Sequence, residues 1–233
     1  DMTSSRGLGD VYKRQGSFKL RGASSAISVL SKEEKSRGVV AFSSGNHAQG
    51  IAYASRELGT SAKIVMPSDA PKIKIWKTQE YGAEVIFYER DEDNREEIGF
   101  SIAKEEGRKL IKPFDDLNVI YGQGTAALEV MDEVDTKFDM SVVCCSGGGL
   151  AAGTGIVLKN SLSDCQLYTA EPKDWNDHEK SFLQNNIVSI KTKKHGMCDA
   201  LENPQPGEIT FRINSALNTC LLYTSPSPRD DVI

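Results

Sequence analysis

The sequence lacks the features that mark several broad classes of protein. No apolar run approaches the roughly 18 residues needed to cross a membrane, and residues 1–15 hold no apolar stretch typical of a secretion signal. The 28 Lys and Arg are outnumbered by 33 Asp and Glu, which gives a formal net charge of −5 and no basic field for nucleic acid. We therefore expect a cytoplasmic protein that binds neither nucleic acid nor membranes.

Cysteine and histidine are also scarce. The five cysteines include no Cys-x-x-Cys spacing, and none of the three histidines falls in a His-Glu-x-x-His or nucleophile-elbow pattern. These absences weigh against a zinc enzyme and against a Ser-His-Asp triad. We expect reduced thiols that are mostly structural.

From about residue 38 the sequence alternates short β-branched runs with helical patterns. Predicted strands occupy residues 39–42, 62–66, 84–88, 140–145 and 166–170. Predicted helices occupy residues 47–58, 71–81, 93–106, 122–134 and 150–158. Such alternation is typical of a doubly wound α/β fold with parallel strands, in which ligands gather at the carboxyl ends of the strands. The two ends do not continue the pattern, and we predict a non-core extension at residues 1–15 and a non-core tail at residues 219–233.

A glycine-rich turn follows one predicted strand and precedes a predicted helix. It consists of Ser146, Gly147, Gly148, Gly149 and Leu150. Consecutive glycines let backbone N–H groups surround an anion at a helix N-terminus, so the turn predicts a phosphate site. Gly147, Gly149 and Gly153 also loosely match a dinucleotide fingerprint, and Glu171 then stands where a ribose-binding acid would lie. A purely structural turn is a third alternative that the residues leave open.

Two further segments carry groups that suit an amino-acid substrate. Lys19 follows Phe18 at the start of a predicted buried helix, where burial would lower the ammonium pKa and free the amine to attack a carbonyl. Most lysines, however, are solvated. The other segment consists of Ser43, Ser44, Gly45, Asn46 and His47. These are ordinary helix-capping residues, yet the same geometry points N–H donors at a small carboxylate.

The combination of segments is more specific than any one of them. Gly-Ser-Phe-Lys-Leu-Arg-Gly-Ala at 16–23, Ser-Ser-Gly-Asn-His-Ala-Gln-Gly at 43–50 and Ser-Gly-Gly-Gly-Leu-Ala-Ala-Gly at 146–153 follow in this order. Together they resemble the fold-type II pyridoxal-phosphate enzymes, specifically the threonine ammonia-lyase and serine racemase group. The resemblance covers about residues 16–218 and takes in Tyr-Gly-Gln-Gly-Thr at 121–125. It favours this cofactor over a dinucleotide, which would leave Lys19 and the serine segment without a purpose.

The resemblance implies a role for each residue of the cofactor site. Lys19 carries pyridoxal 5'-phosphate and acts as the base, Phe18 packs near the ring, and Asn46 bonds the pyridoxal hydroxyl. Residues 146–150 bind the phosphate, and residues 43–47 cradle the substrate carboxylate. Ser44 matches the serine on the opposite ring face, which is the second acid or base in racemases.

The resemblance also implies a divalent cation, magnesium or another of its kind. Its ligands would be the side chains of Glu171 and Asp177 and the backbone carbonyl of Trp175, since oxygen ligands suit such ions. Surface acids in a loop are the alternative interpretation.

The implied activity is that of a threonine/serine dehydratase. L-Threonine would give 2-oxobutanoate and ammonia, as in isoleucine biosynthesis, and L-serine would give pyruvate. Serine racemase, threo-3-hydroxyaspartate dehydratase and an inactive fragment of the family are the alternatives, and a nucleotide-binding module is the candidate from another class. A homodimer is expected by analogy.

The resemblance also divides the chain. A large, cofactor-binding domain is expected at residues 16–37 and 116–218, and a small domain at residues 38–115. Family members have a longer segment before the lysine motif and a later Ser-Gly-Gly-Asn stretch, neither of which is present here. We therefore expect an incomplete large domain, weakened cofactor binding and poor stability.

Overall fold

The computed structural model describes residues 16–90, 92–134, 138–162, 164–192, 196, 198–217 and 219–222. Three parts of the sequence discussed above lie outside the described residues. They are the predicted extension at 1–15, one of the three histidines (His195), and residues 223–233 of the predicted tail.

Helices and strands alternate along most of the described chain. The helices are α1 (Lys19–Ser28), α2 (Lys32–Arg37), α3 (Asn46–Glu57), α4 (Lys72–Glu80), α5 (Arg95–Glu106), α6 (Leu117–Glu133), α7 (Gly149–Ser161), α8 (Asp177–Gln184) and α9 (Glu208–Ala216). The strands are β1 (Val39–Phe42), β2 (Ala62–Pro67), β3 (Glu84–Tyr88), β4 (Lys109–Leu110), β5 (Met140–Cys144), β6 (Gln166–Ala170) and β7 (Cys220–Leu222). Two short 3₁₀ helices cover Lys173–Trp175 and Asp199–Leu201.

The described strands form two sheets, in the orders β3-β2-β1-β4 and β5-β6-β7. Every described pairing is parallel; in the first sheet Ala41 pairs with Ile64, and in the second Val143 pairs with Thr169. Helices connect the strands, as parallel pairing requires. The predicted doubly wound α/β class is therefore confirmed.

The first sheet is covered on both faces, which explains the unbroken apolar run of β1. All four residues of β1 are buried. Ile64 of β2 packs in a cluster with Ile27 of α1 and Ile51 of α3, whereas Val65 turns to the other face and packs in the cluster that α5 covers. The carboxyl end of β1 is thus held rigidly where the serine segment begins.

Helix α6 begins at Leu117, five residues before the predicted start. The side chain of Asp116 caps it by accepting hydrogen bonds from the N–H groups of Asn118 and Val119 at 2.8 and 3.2 Å. Gly122 and Gly124 lay inside the predicted helix, and the structure confirms them there. They are needed inside the helix, since a Cβ at Gly124 would lie 2.8 Å from the carbonyl oxygen of Gly153 in α7.

The structure also differs from the prediction near the end of the described chain. Residues 220–222 were assigned to the tail, yet they form β7, in which Leu221 pairs with Thr169 of β6. Helix α9, just before it, was not predicted. No helix within the described ranges is both long enough and apolar enough to cross a membrane.

Candidate active site

Lys19 is the first residue of α1, and its ammonium faces the interior of the chain. The Nζ atom donates a hydrogen bond to the carbonyl oxygen of Pro113 at 2.8 Å and lies 5.4 Å from the centre of the Phe18 ring. Burial lowers the pKa of Lys19 from 10.5 to about 8, against a smaller opposing effect of the Cys144 thiol. At pH 7 roughly one amine in ten is then neutral and nucleophilic, far more than for a solvated lysine.

The serine loop, residues 43–47, joins β1 to α3. The N–H of Gly45 donates to Ser43 Oγ at 3.2 Å, and the backbone of Asn46 begins the helix. Ser43 and Ser44 are half-buried, whereas Asn46 is exposed. The first N–H groups of a helix have no partner within that helix, so α3 presents donors for an anion here.

His47 at the end of the serine loop is buried and lies close enough to Lys19 for their charges to interact. Burial, and then the positive charge of Lys19, lower the pKa of His47 to about 3. The neutral ring uses Nε2 to donate to the carbonyl oxygen of Ile111 at 3.1 Å. Gly50, one turn further, packs on Lys19 itself, because a Cβ there would lie 3.2 Å from the Lys19 carbonyl carbon. The starts of α1 and α3 are therefore adjacent.

The glycine loop, residues 146–150, joins β5 to α7. Gly148 takes a φ of +91° and caps the helix that starts at Gly149. The side chain of Phe114 fills the space beside Gly147 and Gly149, and a Cβ on Gly149 would lie 3.0 Å from Phe114 Cβ. The loop combines side-chain-free backbone with the free N–H groups of a helix start, which is the donor set that a phosphate needs.

One segment that the sequence analysis missed touches all three predicted parts of the site. In residues 111–114, the carbonyl of Ile111 accepts from His47, the carbonyl of Pro113 accepts from Lys19, and Phe114 packs against the glycine loop. Backbone carbonyls carry no signal in residue type, so no pattern could have shown these contacts. The segment leads from the first sheet into α6 and fixes Lys19 relative to both loops.

The three residues predicted to hold a cation follow β6 within seven residues of the chain, and Glu171 and Asp177 are near enough for their charges to interact. Both oxygens of Glu171 accept helix N–H groups at 2.9 Å, from His178 and Glu179, and so cap α8. Asp177 is fully buried, and neither of its carboxylate oxygens has a hydrogen-bond partner among the described residues. Burial, and then the neighbouring charge of Glu171, raise the pKa of Asp177 to about 8.

Oxygen atoms that a cation would satisfy are thus present at Asp177. Among the described residues, no cluster of three or more His, Cys, Asp or Glu side chains is arranged to hold a metal ion. The predicted set itself supplies two carboxylates and one backbone carbonyl. The donor chemistry fits a hard divalent ion, and the ion stays a proposal.

The geometry therefore places the buried amine of Lys19 next to the serine loop, and residues 111–114 connect both to the glycine loop. Residues 10–225 match the family described as pyridoxal-phosphate dependent enzyme. The chain belongs to this family. The predicted relationship to fold-type II enzymes is confirmed, and the nucleotide-binding alternative has lost its support.

Within this family, the chain is similar to ammonia-lyases and to serine racemases. The chain is 44% identical over 205 residues to the L-threo-3-hydroxyaspartate ammonia-lyase of Saccharomyces cerevisiae, which covers 88% of this chain and 62% of that protein. It is 42% identical over 202 residues to the serine racemase of Schizosaccharomyces pombe. That alignment covers 87% of this chain and 62% of the racemase. The solved structure of the processed form of threonine deaminase isoform 2 from Solanum lycopersicum superposes with a TM-score of 0.83 at 33% identity, over 88% of this chain and 60% of that chain. The chain thus spans about three fifths of the length of these relatives.

Proposed function

We propose that the protein is a pyridoxal-phosphate-dependent ammonia-lyase for a β-hydroxy-α-amino acid, with Lys19 as the residue that carries the cofactor. The observation that supports it most is the amine of Lys19, which burial brings to a pKa of about 8. This amine lies beside the serine loop and near Cys144, two residues before the glycine loop. A lysine in this setting is suited both to covalent attachment and to proton transfer.

The residues divide the chemistry among them. When bound, the cofactor supplies an electron sink for the bonds of the substrate α-carbon. The glycine loop would hold its phosphate, Phe18 would pack near the ring, and Asn46 would donate to the pyridoxal hydroxyl. The Lys19 amine would take the α-proton, and the carbonyl of Pro113 is placed to accept a hydrogen bond from the resulting ammonium. The β-hydroxyl of the substrate would then leave as water, and it would take the proton that the Lys19 ammonium holds.

L-Threonine is the first substrate that we propose, with L-serine as the second. The superposition on a threonine deaminase supports this choice. The reaction would release ammonia and a 2-oxoacid, 2-oxobutanoate from threonine and pyruvate from serine. The expected homodimer stays a prediction.

A cation near the site favours threo-3-hydroxyaspartate as a second candidate substrate. The Nζ atom of Lys74 lies 3.8 Å from the position that a Cβ on Gly45 would occupy, so an ammonium stands next to the serine loop. A second carboxylate on the substrate would meet this charge, and the yeast relative bears the name of that activity.

Serine racemase is the alternative reaction at the same site. It would need Lys19 on one face of the substrate and Ser44 on the other, and the fission-yeast relative is a serine racemase. Measuring D-serine against pyruvate after incubation with L-serine separates the two reactions. Replacement Ser44→Ala should remove racemisation and spare dehydration.

We propose a divalent cation at Glu171, Asp177 and the Trp175 carbonyl. Its support is the buried Asp177 carboxylate, whose oxygens lack partners among the described residues and whose charge a cation would stabilise. Magnesium should therefore raise the melting temperature of the wild type and leave that of Asp177→Asn nearly unchanged.

The first experiment is chemical labelling of the lysine. The protein is mixed with pyridoxal phosphate and reduced with borohydride, and the modified peptide is mapped by mass spectrometry. We expect label on Lys19, and turnover of threonine that falls by at least about 1,000-fold in Lys19→Ala, because the general base and the attachment point are lost together. Lys32→Ala, at an exposed lysine in α2, is the matched control and should behave as the wild type. Label scattered over surface lysines, or normal turnover by Lys19→Ala, would refute the proposal.

A further inference from the structure

Side chains of α9, which belong to none of the sequence motifs, donate hydrogen bonds to the backbone of the glycine loop. Thr210 and Asn214 stand one turn apart on α9, and both are fully buried. Thr210 Oγ1 donates to the carbonyl oxygen of Gly147 at 2.6 Å, and Asn214 Nδ2 donates to that of Gly148 at 3.3 Å. Two successive carbonyl groups of the loop are therefore held by the same face of one helix.

These two contacts set the direction of the N–H groups of the loop. A trans peptide is planar, and its C=O and N–H bonds point in opposite directions. A carbonyl of Gly147 that faces Thr210 therefore turns the N–H of Gly148 away from α9, and the carbonyl of Gly148 does the same to the N–H of Gly149. Both donors then face the side of the loop where an anion would lie.

Further contacts fix α9 and close the space behind the loop. The carboxylate of Asp115 accepts from the N–H groups of Ile209 and Thr210 at 2.8 and 3.4 Å, which anchors the first turn of α9. The ring of His178 lies against Gly148, since a Cβ there would lie 2.6 Å from its Cε1 atom. The loop has no room to flip its peptides toward α9 without moving these buried groups.

We propose that Thr210 and Asn214 are positioning residues that hold the glycine loop in the conformation that binds the cofactor phosphate. The inference rests on the proposed function in assigning that phosphate to the loop. Neither side chain would touch the cofactor; each acts through the peptide that it orients. Removing the side-chain donor leaves each carbonyl with one backbone donor, the N–H of Gly207 for Gly147 and the N–H of Ala152 for Gly148. The peptide is then held less tightly, and its N–H points less often at the anion.

Thr210→Val is the central variant, because it keeps the shape of the side chain and removes only the donor. Thr210→Ser restores the donor and should recover the wild-type affinity. Thr78→Val is the matched control, since Thr78 is also fully buried and donates to a backbone carbonyl, that of Lys74, far from the glycine loop. Asn214→Leu tests the second contact independently.

The readout is the ratio of the affinities for pyridoxal phosphate and pyridoxal, measured by titrating the absorbance of each aldehyde with protein. Pyridoxal lacks the phosphate, so the ratio isolates the glycine loop from the chemistry of Lys19. We expect a roughly 10-fold lower ratio in Thr210→Val and in Asn214→Leu, and an unchanged ratio in Thr210→Ser and Thr78→Val. An unchanged ratio in both Thr210→Val and Asn214→Leu would overturn the inference.

Inorganic phosphate provides a probe that does not depend on Lys19. It should raise the melting temperature of the wild type, and much less that of Thr210→Val. If phosphate binds in this pattern while Lys19 takes no label, the proposed function fails and the positioning role stands. In the opposite case, Lys19 is labelled, but neither substitution changes the affinity ratio or the rise in melting temperature that phosphate causes. The positioning role then fails and the proposed function stands. A wild type that binds neither phosphate nor pyridoxal phosphate would refute both.

Discussion

The two sheet regions of the molecule are built in different ways. In residues 38–115, most of the fully buried side chains are apolar, among them Val39, Ile51, Ile64 and Met66. Among the residues from 138 to 219 whose side chains the structure describes, the fully buried ones are largely polar, and they include Asp177, His178, Ser181, Thr210 and Asn214. Apolar contacts are non-directional, whereas buried polar groups are stable only at the positions where their partners are met. The first region is thus a scaffold, and the second holds a loop whose geometry is fixed by individual hydrogen bonds.

A matched pair of glycine substitutions sharpens this comparison with the largest expected effect. Gly148 and Gly59 both have left-handed backbones, with φ of +91° and +69°. A Cβ on Gly148 would meet the His178 ring at 2.6 Å, whereas a Cβ on Gly59 would meet nothing within 4 Å. Gly148→Ala should therefore cost about 3 kcal/mol, from backbone strain plus overpacking, and Gly59→Ala about 1 kcal/mol from strain alone.

The free energies of unfolding of both variants can be measured by urea denaturation. Equal losses of unfolding free energy in the two variants would show that the residues around Gly148 move aside for the new methyl group without cost. That result would remove the contrast between a rigid loop support and an exposed turn.

The second prediction applies one substitution to both sheets. Val65 in β2 is fully buried, whereas Val142 in the edge strand β5 is 49% exposed. Val65→Ala should lower the free energy of unfolding by about 2–3 kcal/mol, because two buried methyl groups and their packing are lost. Val142→Ala should change it by less than about 0.5 kcal/mol. A loss at Val142 as large as that at Val65 would mean that the exposed face of β5 is covered in solution.

The third prediction concerns the loss of folding stability at acidic pH, which a histidine of the polar region should cause. Burial lowers the pKa of His178 from 6.5 to about 4, against the smaller effects of the Ser146 and Gly147 carbonyls. Between these two values the unfolded chain binds a proton that the folded chain excludes. The stabilising contribution of His178 is therefore complete above pH 6.5 and is lost as the pH falls toward 4.

At pH 5 this histidine should account for about 2 kcal/mol of lost stability. His47 adds a loss of the same sign, and the raised pKa of Asp177 adds one of opposite sign. His178→Gln keeps both of those groups, so it isolates the contribution of His178. Urea denaturation of the two proteins at pH 7.5 and pH 5 should show a smaller loss in the variant. Identical losses would exclude His178 as the acid-sensitive group.

The same contrast explains how far the sequence could predict the structure. Strand β1 is a continuous apolar run, and β2 is apolar apart from Lys63, so their composition predicts both strands. The glycine loop was predicted because a run of glycines is typical of backbone that other groups approach too closely for a side chain. Thr210 and Asn214 gave no such signal, since one threonine and one asparagine after a Pro-Gly pair are found in any surface loop. Their function arises from the helix that places them behind residues distant in sequence, a placement that only the tertiary fold reveals.

The last prediction, with the smallest effect on stability, concerns the ion pair that links the two regions. Lys74 Nζ lies 3.2 Å from Asp199 Oδ2, and their side chains are 32% and 71% exposed. Such a pair contributes at most about 0.5 kcal/mol, so Lys74→Met should leave the free energy of unfolding almost unchanged. Lys74 also stands beside Gly45 of the serine loop, where Asp199 competes with a substrate carboxylate for its charge. With threo-3-hydroxyaspartate as substrate, Lys74→Met should raise KM several-fold and Asp199→Asn should lower it, whereas KM for threonine should change less in both variants. If Lys74→Met and Asp199→Asn shift KM for threo-3-hydroxyaspartate in the same direction, the ion pair has only a structural role and does not select the substrate.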